Sequence, residues 1–242
     1  MRIGFFDSGI GGLTTMKSAV EVLGGGDYVY LSDDKNAPYG LKSADELFKI
    51  GKQNIEYLSR LGCESIVIGC NTMTAVCKKN FESLFPNIKL VGTEPAILPA
   101  VRENFKIALL STPTTAGSKR VKELLDMSIG KVSVYPISSL AGIIENSDLD
   151  EKILLSYAKN NLKYLNNYDA VVLGCTHFVY LAPYIQKIYP NIKIYDGNLG
   201  VATRLKSLIG EQSTPFKCLF LSTKGAESPK CQKIFSKITK KF

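Results

Sequence analysis

The sequence predicts an α/β protein made of two similar units, each a parallel sheet covered by helices. Three observations predict it. Short apolar runs, of the kind a strand buried on both faces needs, alternate with helical stretches along the whole chain. SIVIGCNTMTAV at residues 65–76 and AVVLGCTHF at residues 170–178 follow one plan: an apolar run, a glycine stop, then a cysteine, Cys70 in the first and Cys175 in the second. RIGFFDS at residues 2–8 matches KIALLST at residues 106–112 at nearly the same offset, and the turn FPNIK at residues 85–89 returns as YPNIK at residues 189–193. Two halves of one plan, with no Gly/Ser/Pro-rich linker between them, predict two α/β domains related by a pseudo-twofold axis and packed closely.

In order, residues 2–6 are the first strand, 11–23 the first helix and 28–32 the second strand. A long helix over 43–61 opens on a capping box, Ser43 with Glu46 three positions on. Ile66, Val67 and Ile68 form the third strand, Gly69 ends it, and a helix follows over about 73–85. After the turn at Pro86-Asn87, residues 89–92 are a short strand. In the second half 106–111 is a strand, and Pro113 suits the first turn of a helix running to about residue 127. Residues 131–135 are a strand leading into a loop that reaches Glu145; a helix spans 148–165. Val171, Val172 and Leu173 form the strand before Gly174. Residues 178–189 are a helix with Pro183 in its early turns, and 192–195 a last strand.

The chain of 242 residues suits one large or two small domains. No apolar run approaches the length of a membrane span, so a membrane is not expected as a partner. The start of the chain lacks the plan of a signal peptide. The cytosol is therefore the expected compartment, where the six cysteines would be thiols rather than a disulfide framework. There is no CxxC pair and only one histidine, His177, so no closed zinc site is expected. The net charge is +8, and the excess lies late, in Lys217, Lys224, Lys230, Lys233, Lys237, Lys240 and Lys241. There Cys231, Ile234, Phe235, Ile238 and Phe242 fall at helical spacing, which reads as an amphipathic helix with a solvated lysine face. A positive field would also suit an anionic substrate.

In open parallel sheets, ligands bind beyond the carboxyl ends of the strands. Asp7, Ser8 and Gly9 follow the first strand here. Ser32 and Asp33 follow the second, with Pro38, Tyr39 and Gly40 beyond. Cys70, Asn71 and Thr72 follow the third. Thr112, Thr114 and Thr115 follow the first strand of the second half, and Cys175, Thr176 and His177 its later one. If those edges face each other, the two thiols meet across a cleft. The glycine-rich DSGIGG is a weak phosphate-loop signal, since no GK[ST] follows it. Asp7 either caps the first helix or partners Cys70; His177, two residues after Cys175, can hold a thiolate. A nucleophile would need one thiol, but inversion at carbon needs two: one base removes a proton from one face and a conjugate acid returns one to the other. A thiol of ordinary pKa, ~8.5, serves near neutral pH if a neighbour stabilises its thiolate.

Asp7-Ser8-Gly9-Ile10-Gly11-Gly12, Pro38-Tyr39-Gly40, Cys70-Asn71-Thr72, Thr112 with Thr115, and Gly174-Cys175-Thr176-His177 together resemble the cofactor-independent aspartate/glutamate racemases, above all the glutamate racemases. The resemblance covers roughly residues 3–200. It implies two flavodoxin-like, doubly wound domains with the active site between them, residues 1–93 with 199–242 forming one and 94–198 the other. It implies no cofactor and no metal, and glutamate as the small-molecule partner, with a homodimer left open. Cys70 would deprotonate D-glutamate with help from Asp7, and Cys175 would deprotonate L-glutamate with help from Glu145 and His177. Ser8, Pro38, Tyr39, Gly40, Asn71, Thr72, Thr112, Thr115 and Thr176 would hold the substrate. D-Glutamate from this family feeds peptidoglycan synthesis. The segment 135–145 departs from the more apolar, proline-containing stretch usual in the family, which leaves aspartate, or both acids, as alternative substrates. Outside this class stand a module that binds an acidic ligand or nucleic acid, and a metal hydrolase built on Cys70, Cys175 and His177.

Overall fold

The computed structural model describes residues 1–103, 106–128 and 131–239. The strands are β1 (Arg2–Asp7), β2 (Asp27–Ser32), β3 (Cys63–Ile68), β4 (Lys89–Gly92), β5 (Ile107–Ser111), β6 (Val132–Pro136), β7 (Ala170–Gly174), β8 (Lys193–Tyr195) and β9 (Lys217–Ser222). The helices of the first half are α1 (Gly12–Leu23), α2 (Ala44–Arg60), α3 (Asn71–Leu84) and α4 (Ile97–Arg102). Then come α5 (Pro113–Gly117), α6 (Lys119–Asp126), α7 (Leu140–Asn146), α8 (Glu151–Asn161), α9 (Ala182–Ile188), α10 (Asn198–Ile209) and α11 (Pro229–Ile238). Among the described residues no helix is long and apolar enough to cross a membrane.

All strand pairs in both sheets are parallel. One sheet runs β4-β3-β1-β2-β9 and the other β6-β5-β7-β8. Read from the opposite edge, β2-β1-β3-β4 and β6-β5-β7-β8 are the same winding, so the sequence repeat is a repeat of topology. That order is the doubly wound one, in which the chain leaves the central strand toward opposite faces and opens a crevice beyond the carboxyl ends of β1 and β3. The second sheet opens its crevice beyond β5 and β7.

Alternation along the strands assigns the faces. Ile3, Phe5, Tyr28 and Tyr30 pack with Leu13, Met16 and Val20 of α1, while Phe6, Val29, Ile66 and Ile68 pack with Leu47 and Leu58 of α2 and Met73 and Phe81 of α3. The first of these cores does not stop at the unit's edge. It continues through Leu110, Leu140, Ile144, Leu173 and Phe178. Burying a side chain of this kind is worth about 1.5–3 kcal/mol, so a shared core holds the two units together strongly.

Several elements differ from the expectation, each for a local reason. The helix expected over 113–127 is two, because Ser118 is extended at φ −68° and ψ 149° and its hydroxyl instead caps α6, accepting from the Val121 amide at 3.2 Å. The helix expected from 148 starts at Glu151: Asp148 and Leu149 have left-handed φ of 49° and 58°, and Asp150 is the N-cap, accepting from the Ile153 amide at 3.0 Å. It ends at Asn161 and passes into a 3₁₀ turn. Residues 177–181 are also 3₁₀ before α9, which Pro183 can open because its missing N–H is unneeded there. The loop expected to carry Glu145 is largely helix α7. The capping box of α2 forms in both directions, Glu46 N–H to Ser43 Oγ at 3.3 Å and Ser43 N–H to Glu46 Oε2 at 2.9 Å. In α11, Cys231, Ile234 and Phe235 are buried as their spacing predicts; Lys240, Lys241 and Phe242 lie outside the described residues.

Candidate functional site

Cys70 leaves β3 as the N-cap residue of α3, and Cys175 follows the last residue of β7. Both thiols are free and each residue is 7% exposed. They are close enough that a charge on Cys175 raises the pKa of Cys70. The two crevices therefore face each other and close over the thiols. A cavity of about 910 Å³ lies elsewhere, lined by Glu94, Tyr195, Gly197 and Leu199 where the chain crosses between units.

Asp7 ends β1 beside Cys70 and is fully buried. Its carboxyl accepts from the Ser8 amide at 2.7 Å and, across the cleft, from Thr176 Oγ1 at 2.9 Å. Burial lifts its pKa above 3.8, against the opposing charge of His177 and the hydrogen bonds from Ser8 and Thr176. Burial also lifts the Cys70 thiol well above its usual range, and the Asp7 charge adds to that; the amides of Met73 and Thr72, in the first turn of α3, pull the other way. Cys70 thus rests protonated, with a carboxyl beside it whose raised pKa makes it a better proton acceptor.

Cys175 has a different neighbour. His177 hydrogen-bonds to it, and its Nε2 meets Glu145 Oε2 at 2.9 Å. Burial opposes the imidazolium, but the Cys175 and Glu145 contacts outweigh it and hold His177 well above 6.5. Glu145 comes from α7. Burial pushes its carboxyl up, but His177, Lys230 and the Ile10 amide bring it down to about 2. The Ile10 N–H donates to Oε2 at 2.8 Å and Lys230 Nζ to Oε1 at 2.5 Å.

The glycines of DSGIGG make these approaches possible. A Cβ on Gly9 would run into the Glu145 carboxylate, and one on Gly11 would meet Thr176 Oγ1 and His177 Nδ1. Side chains of the second unit press on Gly9 and Gly11, and Gly12 faces Asp7 and Tyr30 of the first. Its carbonyls are pinned by tyrosines that the sequence reading missed: Tyr30 OH donates to Gly9 O at 2.7 Å and Tyr180 OH to Ile10 O at 2.9 Å. Tyr180 lies one 3₁₀ turn beyond His177, which is the one signal that could have marked it.

Of the other residues singled out, Thr72, Thr112 and Thr115 form a triangle of buried hydroxyls across the cleft, with oxygens 2.9–3.0 Å apart. Asn71 is buried and its amide reaches Thr93 O at 3.4 Å. Tyr39 is buried with its hydroxyl donating to Asp33 Oδ2 at 2.5 Å, an aspartate also bonded by Asn54 and Thr223. Gly40 O accepts from Thr114 Oγ1 of the other unit at 2.7 Å. Ser8 is half-buried beside Asp7, and Pro38 is exposed at the entry to the Tyr39–Leu41 turn. Lys230 corrects the reading of the basic segment as a wholly solvated face. Among the described residues no three His, Cys, Asp or Glu side chains gather closely enough to hold a metal ion.

Two doubly wound units, each placing a free, buried thiol just beyond the end of a strand at the edge that faces the other unit, define a two-domain α/β protein with its candidate site between the units. No family model matches the chain. It is 37% identical over 217 residues to the glutamate racemase of Halothermothrix orenii, covering 86% of this chain and 85% of that one, and 35% identical over 213 residues to that of Clostridium novyi, covering 85% and 82%. The glutamate racemase of Francisella tularensis, solved in complex with D-glutamate, superimposes with a TM-score of 0.79 at 27% identity, over 99% of this chain and 93% of that one. The chain belongs to the glutamate racemase family, and is an isomerase.

Proposed function

We propose that the chain interconverts L- and D-glutamate with two bases, Cys70 acting on D-glutamate and Cys175 on L-glutamate. The observation that carries this is the pairing of two free thiols, delivered by equivalent strands of two repeated units, at one closed interface. From L-glutamate, Cys175 takes the α-proton from one face and resting Cys70 returns one to the other. From D-glutamate the roles reverse, and Asp7 relieves Cys70 of its proton. His177, backed by Glu145, supplies the positive charge that favours a thiolate at Cys175. The carbanion between them is a charge that fixed donors stabilise. Ser8, Asn71, Thr72, Thr112, Thr115 and Thr176 offer small hydroxyl and amide groups around the gap, and the Pro38-Tyr39-Gly40 turn closes one side; these are the residues proposed to hold the substrate.

The units proposed are residues 1–93 with 199–242, and 94–198. Pairing of β9 with β2, and packing of α10 and α11 on α1, support the return of the last segment to the first unit. The proposed setting is the cytoplasm, where the D-glutamate would supply peptidoglycan synthesis; sedimentation equilibrium would tell a monomer from a homodimer.

The test is polarimetry with L-glutamate and no added cofactor, followed by the same reaction in D₂O. A resting thiol exchanges with solvent before it donates, so D-glutamate should carry α-deuterium from the first turnover while the remaining L-glutamate stays mostly protonated. Early product that keeps the substrate's own α-proton would rule out two bases.

A further inference from the structure

We infer that Lys230 is a positioning residue for the racemase reaction: anchored on the first unit, it holds Glu145 of the second against His177 and so sets the readiness of Cys175. The inference rests on the assisting roles of Glu145 and His177 proposed above. Lys230 lies in the first turn of α11, which packs against α1 and β9. Its Nζ donates twice to one residue, to Glu145 Oε1 at 2.5 Å and to the Glu145 carbonyl at 2.7 Å. The second bond fixes the α7 backbone as well as the carboxylate. With Ile10 N–H on Oε2, the first unit grips both oxygens of a side chain carried by the second. His177 Nε2 meets the same Oε2. A lysine one turn along makes the contrast. Lys233 pairs with Asp148 at 3.9 Å with its side chain 78% exposed, a pair of the kind that contributes little. The Glu145 side chain is 18% exposed and that of Lys230 40%, so the lysine caps a carboxylate that water barely reaches.

The chain Lys230–Glu145–His177–Cys175 exists only while the units are closed, because its first and second members sit on different units. Opening the cleft would separate Glu145 from both of its first-unit partners. The thiol would lose its support as the site opened to water and regain it on closure. The titratable groups that face Glu145 are His177 and Tyr180 of the 3₁₀ turn, Lys230 and Cys231 of α11, and Tyr30 of β2. Of these, only His177 and Lys230 bond to its carboxylate among the described residues.

The test uses Lys230→Met, Lys230→Arg, Glu145→Gln and the double variant Lys230→Met/Glu145→Gln in the full chain. Racemisation is read as kcat/KM, which falls equally in both directions because the two enantiomers are equally stable. A second readout is the pH dependence of Cys175 alkylation by iodoacetamide in a Cys70→Ser background, followed by mass spectrometry. Lys230→Met should lower kcat/KM about tenfold or more, since a displaced assisting group costs that order. It should move the alkylation midpoint to higher pH, and Lys230→Arg should restore both. In the double variant Lys230→Met should add nothing to Glu145→Gln, the signature of one residue acting through another. A Lys230→Met enzyme with unchanged rate and midpoint, or additive losses in the double variant, would overturn the inference. So would a lower Tm with an unmoved midpoint, which marks a merely structural lysine. If Glu145→Gln itself is silent, the assisting role of Glu145 falls too; if only Lys230→Met is silent, that role stands.

Discussion

The surroundings of Cys70 and Cys175 share a scaffold and differ in charge. Each thiol follows a central pair of parallel strands in the same winding order. Cys70 has an anionic partner, Asp7, and a helix N-terminus supplied by its own unit. Cys175 has a cationic partner, His177, whose support in Glu145 is gripped by the opposite unit. One backbone plan can therefore surround two thiols with neighbours of opposite charge. The first would be relieved of its proton by a carboxyl with a raised pKa, and the second held ready by a buried imidazolium. The difference also means that the two units fail differently when a partner is lost.

The largest effect should come from deleting either thiol. Cys70→Ala and Cys175→Ala should each abolish racemisation measured by polarimetry, a loss at or beyond the ~10⁴-fold end of acid–base effects. Either variant keeping substantial activity would point to a single swinging base and erase the comparison. Deleting the partners should be milder and lopsided. Asp7→Asn should slow kcat from D-glutamate more than from L-glutamate, and His177→Asn the reverse, each by about 10²-fold in the affected direction. The KM values must shift in step, because the equilibrium between enantiomers cannot move. Equal losses in both directions for both variants would show that the partners serve the site as a whole.

The smallest effect concerns stability. Asp7 carries a folded-state pKa raised by burial, so its contribution is fully present below 3.8 and is lost as pH rises through the folded value. At neutral pH the buried carboxylate is a net cost to folding. Asp7→Asn keeps the acceptor for Ser8 N–H and can donate to Thr176, so it should raise Tm at pH 7 while lowering activity. The gain should shrink as the pH drops toward 3.8. Thermal unfolding followed by circular dichroism at a series of pH values reads this directly, and a Tm below that of the unmodified protein at pH 7 would contradict it. Glu145 stands opposite. Its pKa, lowered to about 2 despite burial, gives stability present above about 4.5 and lost as pH falls through about 2.

Much of this was legible in the chain because it is local. An apolar run stopped by glycine and followed by a cysteine makes a strand end with a thiol just beyond it, whatever surrounds it. The capping box at Ser43 and Glu46 needs only four residues. The repeat at residues 2–8 and 106–112 carries the whole winding order, since parallel strands joined by helices have few ways to arrange themselves. Other elements were hidden. β9 is an edge strand whose exposed Leu219 and Lys217 blur an apolar run. The break at Ser118 and the left-handed pair at 148–149 are turn geometries that no periodicity announces.

By itself, then, the sequence determined two doubly wound units and placed a thiol at the equivalent edge of each, because strand burial, capping and crossover handedness act over short spans. Only the tertiary structure decided what each thiol would feel. Asp7 and Thr176, Ile10 and Glu145, and Glu145 and Lys230 are bonded pairs separated by 169, 135 and 85 residues. Nothing along the chain marks Lys230 apart from the other late lysines. Its role depends on where α11 docks and where α7 turns. Burial and charge shift a pKa through distances of a few ångströms, and those distances exist only once the two units have closed.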